Sequence, residues 1–314
     1  MKPFISICIP AYKRVHYLRR LLDSITVQSF RDFEVVLADD SNDDSVKELA
    51  AAYNGQFAIR YFRNQPSLGT PANWNFAISK ATGEWIKLIH DDDWFAFPEA
   101  LAVFAAEAQK PGSKFIFSAY NNYLEAENRY EEPRFPAGWA SRITRSPVTL
   151  LARNVIGPPS VILVHHSIRE TYDERMKWRV DMDFYMRLLK AEKEYRRIPA
   201  VLVNVGVSDS QVTNSCINVP SVELPEGYLL LEKHGVKALS NIRVYDAWWR
   251  LFRNMKIFSI RQLQEYGGNH WPVTIHKMVK HLAACPPFVL RNGFSSKFAM
   301  FCSWGINFIT TRFQ

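Results

Sequence analysis

The sequence predicts an α/β fold with a mostly parallel central sheet flanked by helices, followed by a helical, basic and aromatic-rich C-terminal region. First, short β-branched apolar runs alternate with segments of helical periodicity from the N-terminus onwards. Second, the pattern becomes helical and aromatic after about residue 219. Third, apolar residues make up 47% of the 314 residues, which excludes a disordered chain.

These patterns predict the individual elements. Short apolar runs bounded by turn residues predict strands, at residues 4–9, 33–38, 59–62, 84–89, 115–119, 160–164 and 198–207. Apolar residues at helical spacing predict helices, at residues 15–25, 45–53, 70–81, 98–109 and 181–191. Thr70 is the expected N-cap of its helix and Pro71 the first helical residue. The polar residues 125–146 are expected to form a loop.

Polar clusters follow several of the predicted strands, at residues 10–14, 39–44, 64–73 and 90–93. In a parallel sheet the carboxyl ends of the strands share one edge, and ligands bind there. We therefore expect a binding site in the N-terminal half of the chain.

Three adjacent acids, Asp91, Asp92 and Asp93, are the strongest candidates within this site. Neighbouring carboxylates repel one another, so a cation should compensate them. A hard divalent ion held by carboxylate oxygens would do so, and it could also bind a diphosphate. The alternative is a solvated turn that caps a helix.

Two further pairs of acids have both a functional and a structural interpretation. Asp39 and Asp40 could accept hydrogen bonds from a ribose hydroxyl or a base N–H, or could form an Asx turn. Asp181 and Asp183 lie at a predicted helix start, where the helix dipole favours an acid. Both cannot cap one helix start, so at least one is available, and Asp181 could act as a general base.

Several other activities lack their motifs, since the sequence contains no GxGxxG after the first strand, no GxxxxGK[ST] and no GxSxG. One alternative is a sugar-nucleotide nucleotidyltransferase, an enzyme that would use such a nucleotide-binding sheet, although residues 10–14 lack the glycine-rich loop that it requires. A catalytically silent nucleotide-sugar-binding or membrane scaffold protein is another. His165 follows an apolar strand, where a structural role is the simpler interpretation and an acceptor-side role the alternative.

Four segments, in this order, resemble the family 2 glycosyltransferases of GT-A fold. They are ISICIPAYKR, FEVVLADDSNDDS, NQPSLGTPANWNFAISKATGEWIKLIHDDDW and VDMDFYMRLL. The resemblance covers about residues 5–207. It implies an inverting transfer of a sugar from a nucleotide-diphosphate donor, with a UDP-sugar favoured, to a hydroxyl acceptor. It also implies a divalent Mg or Mn ion as cofactor.

The resemblance further implies roles for individual residues. Asp181 would be the catalytic base, and Asp92 and Asp93 would bind the metal. The nucleotide pocket would be formed by Pro10, Ala11, Tyr12, Arg14, Asp39, Asp40, Gly69, Asn73 and Asp91. The acceptor side would include Ser160, Asp183 and, as a further candidate, His165. The sequence departs from the family pattern at His90, Ala72 and Val180, where Asp, a basic residue and Glu are common.

The C-terminal region carries the charge of the chain, whose net charge is +8. Residues 241–314 contain ten Lys or Arg and two acids. Trp248, Trp249, Trp271 and Trp304 lie among these basic residues, a composition typical of a segment at a membrane interface. An anionic membrane surface is therefore one expected partner, and a helical bundle packed on the catalytic domain is the alternative. Nucleic acid is not an expected partner, because no nucleic-acid-binding module is recognisable.

The expected organisation is a catalytic domain at residues 1–215, with its nucleotide half at about 1–110 and its acceptor half at about 111–215, and a C-terminal region at 216–314. The expected acceptor is a glycan or lipid-linked glycan in bacterial surface-polysaccharide or glycolipid assembly.

The four cysteines lack a metal or redox spacing, and neither a signal peptide nor a membrane span is evident. The expected location is the cytoplasm or, for a peripheral protein, the inner face of the cell membrane.

Overall fold

The computed structural model describes residues 2–192, 194–208, 216–268 and 270–311. The chain divides into two compact units. The sheet unit comprises Met1–Ala140, Val155–Glu174 and Asp183–Gln211. The helical unit comprises Ser141–Asn154, Arg175–Met182 and Val212–Gln314. The predicted domain boundary after residue 215 lies outside the described residues and stays a prediction.

The sheet unit is built on one mixed sheet. Its strands are β1 (Ile5–Ala11), β2 (Phe33–Asp39), β3 (Ala58–Arg63), β4 (Trp85–Leu88), β5 (Trp94–Phe95), β6 (Phe115–Leu124), β7 (Arg129–Glu131), β8 (Ile162–His165) and β9 (Arg196–Val207). Their order across the sheet is β3-β2-β1-β4-β8-β6-β9-β5, and β7 pairs with β6. The longest ladders, β1–β2, β2–β3 and β6–β9, are parallel, which confirms the predicted fold class.

Helices lie between the strands in the sequence. They are α1 (Val15–Thr26), α2 (Ser45–Ala51), α3 (Ala72–Ser79), α4 (Ala100–Ala108), α5 (Trp139–Arg145) and α6 (Val180–Ala191). Of these, α1 to α4 connect strands of the sheet, and α5 and α6 follow further along the chain. α1 buries Leu18, Leu21, Leu22 and Ile25. Every residue of β1 and β2 is buried, as expected for strands covered on both faces. Ala11 pairs with Asp39, so the two strands end together and bring their polar clusters to one edge.

Two local predictions differ from the structure. α3 begins at Ala72 with Pro71 as its N-cap, so Thr70 does not cap it. A residue before proline is pushed away from helical backbone angles, which places Thr70 outside the helix. The expected loop at residues 125–146 contains β7 and α5. β7 is exposed and polar along its length, so the sequence gives it no alternation of apolar and polar residues.

The helical unit contains most of the C-terminal region. Its helices are α7 (Pro220–His234), α8 (Ile242–Asn254), α9 (Ile260–Gly267), α10 (Val273–Ala284), α11 (Pro287–Arg291) and α12 (Gly293–Thr311). Trp248, Trp249 and Trp271 are buried in the core of this unit. The interpretation of these three side chains as membrane-interface residues is therefore wrong. Of the described helices, none combines the length and apolar character needed to span a bilayer.

A buried carboxylate joins the amino-terminal halves of the first strands. Glu34 in β2 accepts hydrogen bonds from the Ser6 hydroxyl at 2.6 Å and from the Thr82 backbone N–H at 2.7 Å, and it pairs with Arg60 at 2.9 Å. Burial alone would raise the pKa of Glu34, but these bonds outweigh it, and the pKa lies below its ordinary value. The charged form therefore stabilises the folded state.

We expect Glu34→Gln to lower the free energy of unfolding at neutral pH by about 1–3 kcal/mol, because it removes a charged acceptor from buried donors. The difference in unfolding free energy between the variant and the native chain should shrink as pH falls. The decrease begins below 4.5, the ordinary pKa of glutamate, and continues through the lower pKa that Glu34 has in the folded state. Urea denaturation across acidic and neutral pH measures this. Glu48→Gln, on the exposed face of α2, is the matched control. Equal stabilities of the Glu34 variant and the native chain would contradict the prediction.

Candidate active site

The three adjacent acids follow β4 and are all buried: Asp91 is 3% exposed, Asp92 8% and Asp93 2%. Burial and the neighbouring Asp92 charge raise the pKa of Asp91 to about 7, against the opposing effect of Arg14. Burial and Asp92 likewise raise the pKa of Asp93 well above its ordinary value. The carboxylates therefore lie where their negative charges need compensation.

Arg14 supplies part of that compensation. Its guanidinium, in the turn between β1 and α1, donates to Asp92 Oδ2 at 2.9 Å and to Asp91 Oδ1. The backbone N–H of Tyr12 lies 3.5 Å from Asp91 Oδ2. The cation that the sequence analysis expected beside the acids is thus in part a side chain of the protein itself.

Asp93 faces a different set of partners. Its Oδ1 accepts from the Gly206 N–H in β9 at 3.1 Å, and its Oδ2 lies 3.8 Å from His90 Nδ1. Lys87, fully buried in β4, donates to the Ser160 carbonyl, and burial lowers the pKa of Lys87 to about 7. Among the described residues, Asp93 Oδ2 and His90 Nε2 are buried without a hydrogen-bond partner.

This arrangement fits a divalent cation. Ligand atoms of His90, Asp92 and Asp93 all lie within 4.8 Å of one another. Burial lowers the pKa of His90 to about 4, so the imidazole is neutral at neutral pH and keeps a lone pair. Two carboxylates with one imidazole suit Mn²⁺, and the carboxylates alone suit Mg²⁺. His90, which the sequence analysis treated as a departure from the family pattern, is therefore a candidate ligand.

Asp39 and Asp40, at the end of β2, accept hydrogen bonds from the protein. Asp39 accepts from the Ser41 N–H at 2.8 Å, the expected Asx-turn contact, and from the Tyr61 hydroxyl at 2.7 Å. Asp40 accepts from Asn64 Nδ2 and from the Gly69 N–H, each at 2.8 Å. These carboxylates hold the loops after β2 and β3 in place.

Two other predicted pocket residues complete this network. Asn73 accepts from Asn64 Nδ2 and donates to the Ala38 carbonyl, both at 3.0 Å. Gly69 has a φ of 73°, which favours glycine, and its N–H faces Asp40. The structure thus brings Asp40, Gly69 and Asn73 together.

The N-terminal pocket residues divide by exposure. Pro10 and Ala11 are buried within β1. The Tyr12 ring directly after them is 52% exposed. Tyr12 therefore presents an open aromatic face beside the acidic cluster.

The three predicted acceptor-side residues do not lie together. Ser160 is fully buried, and its hydroxyl accepts from the His90 N–H at 3.0 Å. Asp183 is fully buried and pairs with Arg187 at 2.9 Å. His165 in β8 pairs with Trp85, the first residue of β4. The acids follow the last residue of β4, so His165 lies at the opposite end of this strand. Ser160 thus supports the acidic cluster, whereas Asp183 and His165 lie in other places.

Asp181 belongs to the helical unit and lies in the first turn of α6. Its carboxylate accepts from Asn154 Nδ2 at 2.6 Å and from the Met182 N–H at 2.7 Å. Burial outweighs these two hydrogen bonds, which lower the pKa, and the pKa of Asp181 rises to about 7. A carboxylate with this pKa can gain or lose a proton near neutrality.

Glu226 in α7 holds the segment before Asp181. Its buried carboxylate accepts from the backbone N–H groups of Lys177 and Arg179, each at 2.7 Å, and of Trp178 at 3.0 Å. The Arg179 side chain pairs with Glu223 at 2.7 Å. Sequence reasoning missed both glutamates, because a helix written as PSVELPEGYLLLEKH gives no sign that its acids face inward.

A family model for glycosyl transferase family 2 matches residues 6–169, which is more than half of the chain. The chain belongs to glycosyl transferase family 2. This confirms the family resemblance. The matched residues include β2, β3, β4 and the whole acidic cluster, whereas the segment VDMDFYMRLL, which carries Asp181, lies beyond residue 169.

Relatives of this family 2 chain occur in several bacteria. An uncharacterized protein of Mycobacterium tuberculosis is 27% identical, over 60% of this chain and 62% of its own length. A putative colanic acid biosynthesis glycosyl transferase of Escherichia coli, WcaA, is 26% identical, over 68% of this chain and 76% of its own length. The chain thus spans less than two thirds of the mycobacterial relative.

Solved structures share the fold of this family 2 chain. TarS of S. aureus in complex with UDP-GlcNAc has a TM-score of 0.58 at 15% identity, covering 99% of this chain and 92% of its own. The mannosyltransferase PcManGT of Pyrobaculum calidifontis, in complex with GDP-Man and Mn²⁺, has a TM-score of 0.58 at 13% identity, with coverages of 98% and 88%. At such identities the likeness shows the fold alone.

We expect Asp92→Asn to lower the affinity for Mn²⁺ at least about tenfold, because it removes a charged ligand oxygen. In the native chain, Mn²⁺ affinity should rise as pH rises through about 7, because Asp91, beside the candidate ligands, loses a proton that opposes cation binding. Electron paramagnetic resonance of free Mn²⁺ measures both effects. Asp32→Asn, an exposed acid before β2, controls for the lost charge. The same affinity in both variants would show that the cluster does not bind the ion.

Proposed function

We propose that this family 2 protein is a metal-dependent inverting glycosyltransferase that transfers a sugar from a nucleotide-diphosphate donor to a hydroxyl acceptor. One observation carries the proposal: a buried acidic cluster at the carboxyl edge of the sheet keeps Asp93 Oδ2 and His90 Nε2 unpaired among the described residues. In water-free surroundings such atoms are costly unless a ligand binds them.

Donor binding is assigned to the loops after β1 and β2. The exposed Tyr12 ring offers a stacking face for a nucleotide base. Asp39 or Asp40 would accept from the base, and a UDP-sugar is the favoured donor. The complex of TarS with UDP-GlcNAc supports a uridine donor, and that of PcManGT with GDP-Man makes guanosine the first alternative.

His90, Asp92 and Asp93 would hold Mg²⁺ or Mn²⁺. When bound, this ion supplies positive charge that stabilises the leaving nucleotide diphosphate. Arg14 lies against Asp91 and Asp92, and it would hold these carboxylates beside the proposed donor. The Mn²⁺ in the PcManGT complex supports this choice of ion.

Asp181 is the proposed base. Its carboxylate would accept the proton of the acceptor hydroxyl while the acceptor oxygen bonds to the anomeric carbon and the bond to the diphosphate oxygen breaks. A single displacement of this kind inverts the anomeric configuration. Asn154 and the Met182 N–H would orient the carboxylate.

The proposed acceptor is a glycan or lipid-linked glycan in bacterial surface-polysaccharide assembly. The E. coli relative named for colanic acid biosynthesis supports this pathway class. The proposed location is the cytoplasm, at the inner face of the cell membrane. A silent nucleotide-sugar-binding protein is the competing function and would bind the donor without cleaving it.

The first test is donor binding and slow donor hydrolysis with UDP-, GDP-, dTDP- and CMP-sugars, with and without Mn²⁺. We expect one donor class to bind in a Mn²⁺-dependent way and to be hydrolysed. Binding without hydrolysis or transfer would favour the silent binding protein. Failure of every donor to bind would overturn the proposed function.

We expect Asp181→Asn to lower kcat for transfer about 10²–10⁴-fold while donor binding is unchanged, because the amide cannot accept the proton. In the native chain, kcat should rise as pH rises through about 7, where Asp181 becomes charged. The measurement is the rate at which the nucleotide product is released in the presence of a panel of sugar acceptors. Glu232→Gln, an exposed acid on α7, is the control. A kcat that the Asp181 variant leaves unchanged would remove Asp181 from the mechanism.

A further inference from the structure

The outer face of α12 is strongly apolar. Phe294 is 86% exposed, Phe298 66%, Phe301 47% and Ile306 54%. Phe294, Phe298 and Phe301, spaced at i, i+4 and i+7, lie on one side of the helix, whereas Ile306 lies further round it. Phe288 in α11, the helix directly before, is 74% exposed. We call the four phenylalanines the aromatic face.

The inner face of α12 is polar, and this fixes the orientation of the helix. Ser296 accepts from Trp249 Nε1 at 3.2 Å. The Ser303 hydroxyl lies 2.6 Å from the Tyr245 hydroxyl, and Asn307 Nδ2 donates to the same Tyr245 oxygen at 2.6 Å. A helix on a water-facing surface usually turns its apolar side chains inward and its polar side chains outward. Rotating α12 to bury its phenylalanines would break these buried hydrogen bonds.

A basic pocket lies among α8, α10, α11 and the start of α12. It is a cavity of about 800 Å³ whose lining includes Arg253, Lys256, Arg291, Phe258, Leu282 and Leu290. None of its lining residues is acidic. In the described part of the chain, the three cations form no ion pair. Arg253 donates only to neutral partners, the Ser296 hydroxyl at 3.2 Å and Asn254 Oδ1.

We propose that the aromatic face docks on an anionic lipid bilayer and that the basic pocket takes the phosphate of a lipid headgroup. Exposed aromatic side chains enter the region between headgroups and acyl chains, and nearby Lys and Arg are attracted to anionic lipids. A second copy of the chain fits this surface less well, because it would bring two sets of unpaired cations together. Three of the four tryptophans that first suggested a membrane, Trp248, Trp249 and Trp271, lie in the core of the helical unit, and exposed phenylalanines take this role.

This surface shares no residue with the proposed active site. None of its residues belongs to the acidic cluster, to the donor loops or to the first turn of α6. Lipid binding and donor hydrolysis can therefore fail independently, and measuring both on each variant tells which proposal has failed.

The test is cosedimentation of the full chain with vesicles of phosphatidylcholine alone and of phosphatidylcholine with one third phosphatidylglycerol. We expect binding to the anionic vesicles, weakened by salt, and little binding to the neutral ones. Equal binding to both would overturn the assignment of the headgroup. If calorimetry shows that the chain binds inorganic phosphate but the chain does not bind anionic vesicles, the pocket takes free phosphate and the proposed lipid headgroup is wrong.

Two pairs of substitutions test the aromatic face. Phe294→Ser with Phe298→Ser should lower vesicle affinity at least about tenfold, because two exposed aromatic side chains are lost. Val27→Ser with Val273→Ser, two exposed apolar residues elsewhere, should leave it unchanged. Donor hydrolysis and thermal unfolding should be unchanged in both. If the phenylalanine pair instead converts a dimer to a monomer in sedimentation velocity and leaves vesicle binding intact, the face is an interface between copies and the proposal is wrong.

Two further pairs test the basic pocket. Lys256→Asn with Arg291→Gln should lower affinity for anionic vesicles roughly tenfold or more, since each basic residue near the surface adds to the attraction. Arg31→Gln with Lys47→Gln removes the same charge from exposed positions of the sheet unit and should have little effect. Equal losses in the two pairs would show that net charge, rather than this pocket, governs binding.

Cys302 provides a measurement on the native chain. It is exposed on α12 directly after Phe301, whereas Cys8 and Cys216 are buried. Anionic vesicles should protect Cys302 from a water-soluble maleimide several-fold, as resolved by mass spectrometry of the labelled peptide. Unchanged labelling in the presence of bound vesicles would place the contact elsewhere on the protein.

Discussion

Repulsion among three adjacent buried carboxylates is the constraint that shapes the functional edge of the sheet. Arg14, from the turn after β1, binds two of them, and the Gly206 N–H of β9 binds the third. The acids thus tie strands that are far apart in sequence to one place. Because burial raises the pKa values of Asp91 and Asp93, their charge is retained only where cations and N–H groups surround them.

Buried carboxylates also hold the loops that carry the other candidate residues. Asp40 binds the N–H of Gly69 and the side chain of Asn64, and this fixes the loop before α3. Glu226 does the same for the segment before Asp181, with three backbone N–H groups. In both cases a charge that would be costly in the interior is satisfied by donors of an irregular segment. The loops are therefore ordered by electrostatics where they lack regular hydrogen bonding.

The sequence predicted the buried strands of the sheet but not the short strands β5 and β7, because β-branched runs in parallel sheets are buried on both faces, as in β1 and β2. It also predicted the acidic cluster, whose position after a strand is a local property. The pairing of Arg14 with Asp91 and Asp92 was out of reach, because it joins residues 77 positions or more apart. Helical periodicity does not say which face of a C-terminal helix packs inward, and so the sequence left the tryptophans open between a membrane interface and a packed helical bundle.

The bond between Glu226 and residues 177–179 affects how the chain can be divided. A protein engineer who exchanged everything after residue 215 between relatives would separate the segment that carries Asp181 from the carboxylate that orders it. Both belong to the helical unit, although Asp183–Gln211 of the sheet unit lies between them in the chain. Functional chimeras should therefore carry residues 141–154 and 175–182 together with the C-terminal helices, as a single inherited module made of three separate stretches of sequence.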